Sequence, residues 1–157
     1  MIDSQEIKRL AYEVGFDLCG ICSPEIIPEA RERYYLWLEK KYHGELDYLA
    51  KDPQRRSDPR LLLEGGKSVI MLGMNYYQPN SDLTPAEHGR VARYARGRDY
   101  HKVIAKKTKD LLGLVKVAVG SDPLFRWFVD YGPMLERAYA EKAGLGYIGR
   151  NGLLISR

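Results

Sequence analysis

Apolar positions recur along the chain with two periods, and the changes between them mark the elements. Ile7, Leu10, Ala11 and Val14 follow the i, i+3, i+4, i+7 spacing of a helix with one buried face. Asp3 or Ser4 is placed to cap that helix, and Gly15 to end it. Residues 16–22 then read as a short buried strand. Pro28 opens a second helix through about Tyr42 that carries Trp37 and Leu38. Leu46 to Gly66, with Pro53 and Pro59, reads as irregular chain with short helical turns. Ser68 to Met74 has no charge and is rich in aliphatic side chains, which predicts a central strand covered on both faces.

Residues 75–89 break the pattern with Pro79, Asn80, Asp82 and Pro85 and predict a loop. Asp99 is placed to cap a long helix through about Val115, with Val103, Ile104, Leu111, Leu112 and Val115 inward and the lysines outward. Leu124 to Val129 reads as the next strand, Pro133 to Ala143 as a helix stopped by Gly144, and Leu153 to Ile155 as the start of another strand. The alternation predicts a layered sandwich of the α/β or α+β class. The chain stops directly after that last apolar run, as if cut inside or just after a strand.

Length and charge narrow the reading. A chain of 157 residues, 45% apolar and 29% charged, suits one compact domain. The longest uncharged stretches fall short of the roughly 20 apolar residues of a membrane span, and the charged N-terminal residues lack the apolar run of a secretory signal. A cytosolic protein that spans no membrane is expected. Its net charge of +4 is modest, but from Arg90 to Asp110 eight basic residues face two acidic ones, so the positive charge is local.

Three segments concentrate candidate chemistry. In residues 93–101, basic and aromatic side chains interleave at a helix start, which suits phosphate or amide oxygens, although spacing alone favours a solvated basic face with Asp99 as cap. Asp130 leaves an apolar run beside Trp127, Phe128 and Tyr131, where desolvation would raise its pKa and make it a general acid; a plain helix-capping role competes with this. Residues 144–152 hold four glycines, of which helix termination explains one. Cys19 and Cys22 have the spacing of a redox dithiol but lie in an apolar strand, and buried inert thiols are expected. His43 and His88 lack acid or cysteine partners at ligand spacing, so no metal site is expected.

In this order, Tyr94-Ala95-Arg96-Gly97-Arg98-Asp99-Tyr100-His101, then Phe128-Val129-Asp130 with Pro133 and Leu135-Glu136-Arg137, then residues 143–151 resemble the epoxyqueuosine reductases. The resemblance covers that family's N-terminal domain. It implies a nitroreductase-like, cobalamin-binding fold and an oxidoreductase of queuosine biosynthesis acting on a tRNA anticodon loop. Two [4Fe-4S] clusters are expected only in a ferredoxin-like domain beyond residue 157. On that resemblance Asp130 is the acid, with Arg137 and Tyr100 orienting acid or substrate. Tyr94, Arg96, Asp99, His101, Gly144, Gly146, Gly149 and Asn151 would contact the corrin. This segment alone is expected to be inactive, its oligomeric state is open, and RNA binding should be weak and salt-sensitive. The competing readings are a non-catalytic cobalamin- or nucleotide-binding module and a small flavin enzyme of nitroreductase type.

Overall fold

The computed structural model describes residues 2–77 and 89–156. Most of the loop expected over 75–89, and His88 with it, lies outside the described residues.

Helix α1 (Ser4–Glu13) starts where the Asp3 side chain accepts a hydrogen bond from the Glu6 amide at 2.8 Å. It buries Leu10 and Ala11. Strand β1 (Leu18–Cys22) follows, then helix α2 (Pro28–Glu39) with its proline in the first turn. Short helical turns at Asp47–Leu49 and Pro59–Leu61 flank helix α3 (Pro53–Ser57). Strand β2 (Val69–Gly73) pairs antiparallel with β1, from Leu18 opposite Gly73 to Cys22 opposite Val69.

Alternation along β1 sorts its side chains between two helical layers. Cys19 and Ile21 join Leu10, Ala11 and Phe16 with Leu111 and Val115 of helix α4 (Tyr100–Val119). On the other face, the Cys22 thiol lies 3.8 Å from the Tyr139 carbonyl of helix α5 (Glu136–Lys142). A Cβ on Gly20 would sit 2.7 Å from the Ala143 carbonyl oxygen, so glycine is what lets α5 approach this strand. The fold is therefore a mixed α+β arrangement with α1 and α4 on one side of the β1–β2 pair and α5 on the other. The two cysteines point to opposite faces, both are free, and burial pushes both thiols up. A dithiol between them is excluded by that geometry.

Helix α4 runs past its expected end to Val119, because no breaker intervenes before Gly120, which takes φ +70° and accepts the left-handed cap. Lys107 departs from the outward lysines expected on this helix. Its ammonium donates to the carbonyls of Val14 and Gly15, both at 2.8 Å, and so closes the C-terminal end of α1.

Two strand expectations fail. Ser68 to Met74 was expected as a central strand, yet β2 pairs only with β1 among the described residues and its residues are half-buried. Leu124 to Val129 forms no strand. No neighbouring strand offers it a ladder, and its side chains are satisfied separately: Arg126 donates to the Leu62 carbonyl at 3.2 Å and lies over the Phe128 ring at 5.5 Å. The helix expected from Pro133 starts only at Glu136, behind a turn closed from the Met134 amide to the Gly132 carbonyl. Strands β3 (Tyr147–Ile148) and β4 (Leu154–Ile155) form a small antiparallel hairpin at the end of the described chain. Among the described residues no helix is long and apolar enough to cross a membrane.

Candidate active site

Asp99 begins the site by capping α4. Its carboxylate accepts from the His101 amide at 3.0 Å and lies 3.0 Å from the His101 ring Nδ1. The cap fixes the direction of the first turn, which carries Tyr100, His101 and Ile104. The Tyr100 and His101 rings stack with centroids 4.1 Å apart.

Asp130 approaches from the other side on a three-residue turn closed from the Tyr131 amide to the Val129 carbonyl at 2.8 Å. Its φ of +61° places a non-glycine residue in the left-handed region, a strain held by its surroundings. The Tyr100 hydroxyl donates to Asp130 Oδ2. The His101 Nε2 lies 3.9 Å from the same oxygen. The bond to Asp130, with smaller help from burial and the Asp130 charge, pushes the Tyr100 phenol up to about 12.

These residues border an open cavity of about 450 Å³ lined by Met74, Asn75, Tyr76, Tyr94, Tyr100, Ile104 and Asp130. The burial expected for Asp130 among Trp127, Phe128 and Tyr131 is not found. Its side chain is 58% exposed, because the preceding residues form no strand that would turn those rings inward around it. The aromatic group that meets it is Tyr100.

The remaining predicted residues lie elsewhere. The Arg96 Nε donates to the Val91 carbonyl at 2.9 Å. Arg137 donates to the Gly152 carbonyl, tying α5 to the hairpin turn. Gly144, at φ +79°, follows the end of α5. A Cβ on Gly146 would fall 2.1 Å from the Ile155 carbonyl oxygen, so that glycine allows the hairpin to close. Gly149 donates to the Leu153 carbonyl at 2.8 Å, and Asn151 Oδ1 accepts from the Leu153 amide at 3.1 Å. The glycine-rich segment thus has conformational reasons of its own, and none of its residues lines the cavity.

Sequence reasoning missed Met74, Asn75 and Tyr76, which follow β2 directly; the exit of a strand was the available signal. It also gave no role to Glu136 or Arg56. Burial, then the Asp130 charge, push the Glu136 carboxyl up against the opposing pull of Arg56 and Arg137. Arg56 donates to the Gly132 carbonyl at 3.4 Å and so holds the chain just after Asp130.

A family model described as "Epoxyqueuosine reductase QueG, DUF1730" matches residues 56–131, which include Tyr94 to His101 and Asp130. An epoxyqueuosine reductase of Leadbetterella byssophila is 42% identical over 154 residues, covering 98% of this chain and 50% of the relative. One from Escherichia coli is 40% identical over 158 residues, covering 98% of this chain and 41% of the relative. Over nearly its whole length the chain is similar to part of the epoxyqueuosine reductases. It spans about half the length of the curated relatives it matches, or less.

Solved epoxyqueuosine reductases share the fold described above. The structure from Streptococcus thermophilus superposes with a TM-score of 0.83 at 28% identity, over 99% of this chain and 42% of that one. An epoxyqueuosine reductase bound to an epoxyqueuosine-modified tRNA-Tyr stem loop gives 0.79 at 25% identity, over 97% and 40%.

Two cysteines cannot furnish an iron–sulfur cluster of the kind held by four thiolates, and here the buried Cys19 and the half-buried Cys22 lie on opposite faces of a strand pair. The residues of this chain do not fit such a cluster. A flat macrocycle is different. The open cavity walled by Met74, Tyr76, Tyr94 and Ile104 offers an apolar and aromatic surface to one face of a large ring, with a carboxyl at its edge.

Proposed function

We propose that this chain supplies the acid-bearing, cobalamin-binding part of an enzyme that reduces epoxyqueuosine to queuosine in tRNA. The observation that carries the proposal is Asp130, held by Tyr100 on the rim of an aromatic cavity, in a chain similar to epoxyqueuosine reductases. The domain would then be of the nitroreductase-like, corrin-binding kind, in a cytoplasmic protein.

Removing the oxygen of an epoxide to leave an alkene consumes two electrons and two protons and releases water. Bound cobalamin supplies the electron chemistry through low-valent cobalt. Protein groups supply position and protons. Tyr94, Met74 and Ile104 would hold the ring by apolar contact. Asp130 would give a proton to the departing oxygen from Oδ1, since Oδ2 is already engaged by the Tyr100 hydroxyl. As that proton leaves, the Tyr100 hydroxyl and the His101 ring face the carboxylate that forms, which favours the transfer. Arg137 would contribute indirectly, through the hairpin turn it binds.

The test combines the chain with cobalamin, titanium(III) citrate as electron donor and tRNA carrying epoxyqueuosine. The expected results are a corrinoid spectrum altered by the protein and loss of one oxygen from the modified base by mass spectrometry. An unaltered spectrum overturns cobalamin binding. Turnover by Asp130→Asn within a few-fold of the parent chain overturns the acid role.

A further inference from the structure

Four aromatic rings form a continuous row that ends at the Asp130 carboxylate. Tyr76 meets Tyr94 edge-on with centroids 6.4 Å apart, and Tyr94 meets Tyr100 edge-on at 6.1 Å. Tyr100 stacks on His101 and donates to Asp130. The outer end of the row is open to solvent: Tyr76 is 63% exposed and Tyr94 55% exposed. Beside it Tyr77 is also 63% exposed, with the Arg93 guanidinium 5.2 Å from its ring centroid.

Burying large rings is the ordinary outcome of folding, and three exposed tyrosines in one neighbourhood mark a surface that meets something. Exposed rings alone would suit a sugar, a peptide or a nucleobase. The charge of the adjoining chain selects among them. The segment from Arg90 to Asp110, which carries Arg93 and Tyr94 and begins α4, has eight basic and two acidic residues while the rest of the chain is net acidic. A polyanion whose repeating unit carries a flat ring satisfies both properties, and single-stranded nucleic acid is bound through this pairing of stacked rings and cationic neighbours.

We propose that Tyr76 and Tyr77 form a stacking platform for unpaired nucleobases of RNA, next to the base that Asp130 serves. The inference rests on the reading of the chain as a tRNA-modifying domain and assigns residues to RNA contact that lie outside the Tyr94–His101 motif. Bases flanking the reacting one lie on the outer tyrosines, and the row of rings sets their distance from the carboxylate. Basic residues of 90–109 then attract the backbone without regard to sequence.

Fluorescence anisotropy decides this with the chain as it stands and two labelled RNA hairpins of equal length, one with a wide unpaired loop and a control paired throughout and closed by a compact, self-stacked tetraloop. Tyr76→Leu and Tyr77→Leu should each weaken binding of the looped hairpin about tenfold, the typical loss when one base loses its aromatic partner. Tyr77→Phe should bind it as the parent chain does, and the paired hairpin should be indifferent to every substitution. Circular dichroism confirms that each variant is folded. Leucine variants that bind the looped RNA as the parent does, or lose both hairpins equally, overturn the platform. So do variants that lose the altered corrinoid spectrum while RNA binding stays intact, since the rings would then serve the macrocycle. Ring-dependent binding of looped RNA without any epoxide reduction would sink the proposed reaction and leave the platform standing.

Discussion

The Tyr100 hydroxyl donates to the Asp130 carboxylate across 30 residues of sequence, joining the first turn of α4 to a strained turn on a separate segment. The phenol depends on that carboxylate, and its titration exposes the dependence.

Tyr100 is pushed up to about 12 chiefly by its bond to Asp130, whereas Tyr139 reaches about 12 through burial. Phenolate absorbance in a pH titration should therefore show one fewer late-ionising tyrosine in Asp130→Asn than in the parent chain, while Tyr34 and Tyr139, both raised by burial, stay late in both. Because the folded-state pKa of Tyr100 exceeds its ordinary value near 10, stability from the bond is complete below that pH and is lost as pH rises through about 12.

Asp130 carries a backbone conformation that glycine adopts at little cost and a β-branched residue resists. Urea unfolding should rank Asp130→Gly at or above the parent chain in stability and Asp130→Val about 1–2 kcal/mol below it. Both variants should lose reduction. A glycine variant that unfolds markedly more easily would show that Asp130 is a structural residue first.

Glu136 is half-buried and desolvation pushes its carboxyl up, so its ionisation opposes folding. A raised folded-state pKa means stability that is present at low pH and declines as pH rises through that value. Glu136→Gln should melt at a higher temperature than the parent chain near neutral pH, and the difference should vanish below about pH 4, where the carboxyl is protonated in both states.

Lys107 is the one lysine of α4 that reaches back to α1, where it binds two carbonyls at 2.8 Å. Lys107→Met should cost about 1–2 kcal/mol in urea unfolding, the range for charged hydrogen bonds at a helix end. Lys106→Met is the control, since Lys106 pairs only with Asp110 on an exposed surface and its loss should be small.

Local signals made part of this structure legible. A cap at Asp3 or Ser4 and one at Asp99 are readable because a short acceptor side chain before an apolar period has one main use, and the structure settles the first on Asp3. The small β1–β2 pair was half legible: the apolar runs were strands, but which strands lay beside them is a property of the whole chain. Residues 124–129 show the limit, since an apolar run without a neighbouring edge gains nothing from extending into a ladder. For the site, the motif residues Tyr94, Tyr100, His101 and Asp130 come together, while the glycines serve the hairpin and the α5 end. Tyr76 and Asn75 leave β2 directly, a position that favours a site, but the prolines and polar residues that follow make the segment read as plain loop.

The failure of residues 124–129 to join a sheet has a further effect on the acid. Helix α4 holds Tyr100 as part of a rigid body rooted in the core, but Asp130 hangs on a segment moored by single arginine contacts, Arg126 to the Leu62 carbonyl and Arg56 to the Gly132 carbonyl. Loosening either mooring would shift the proton donor while leaving the rest of the catalytic rim where it was.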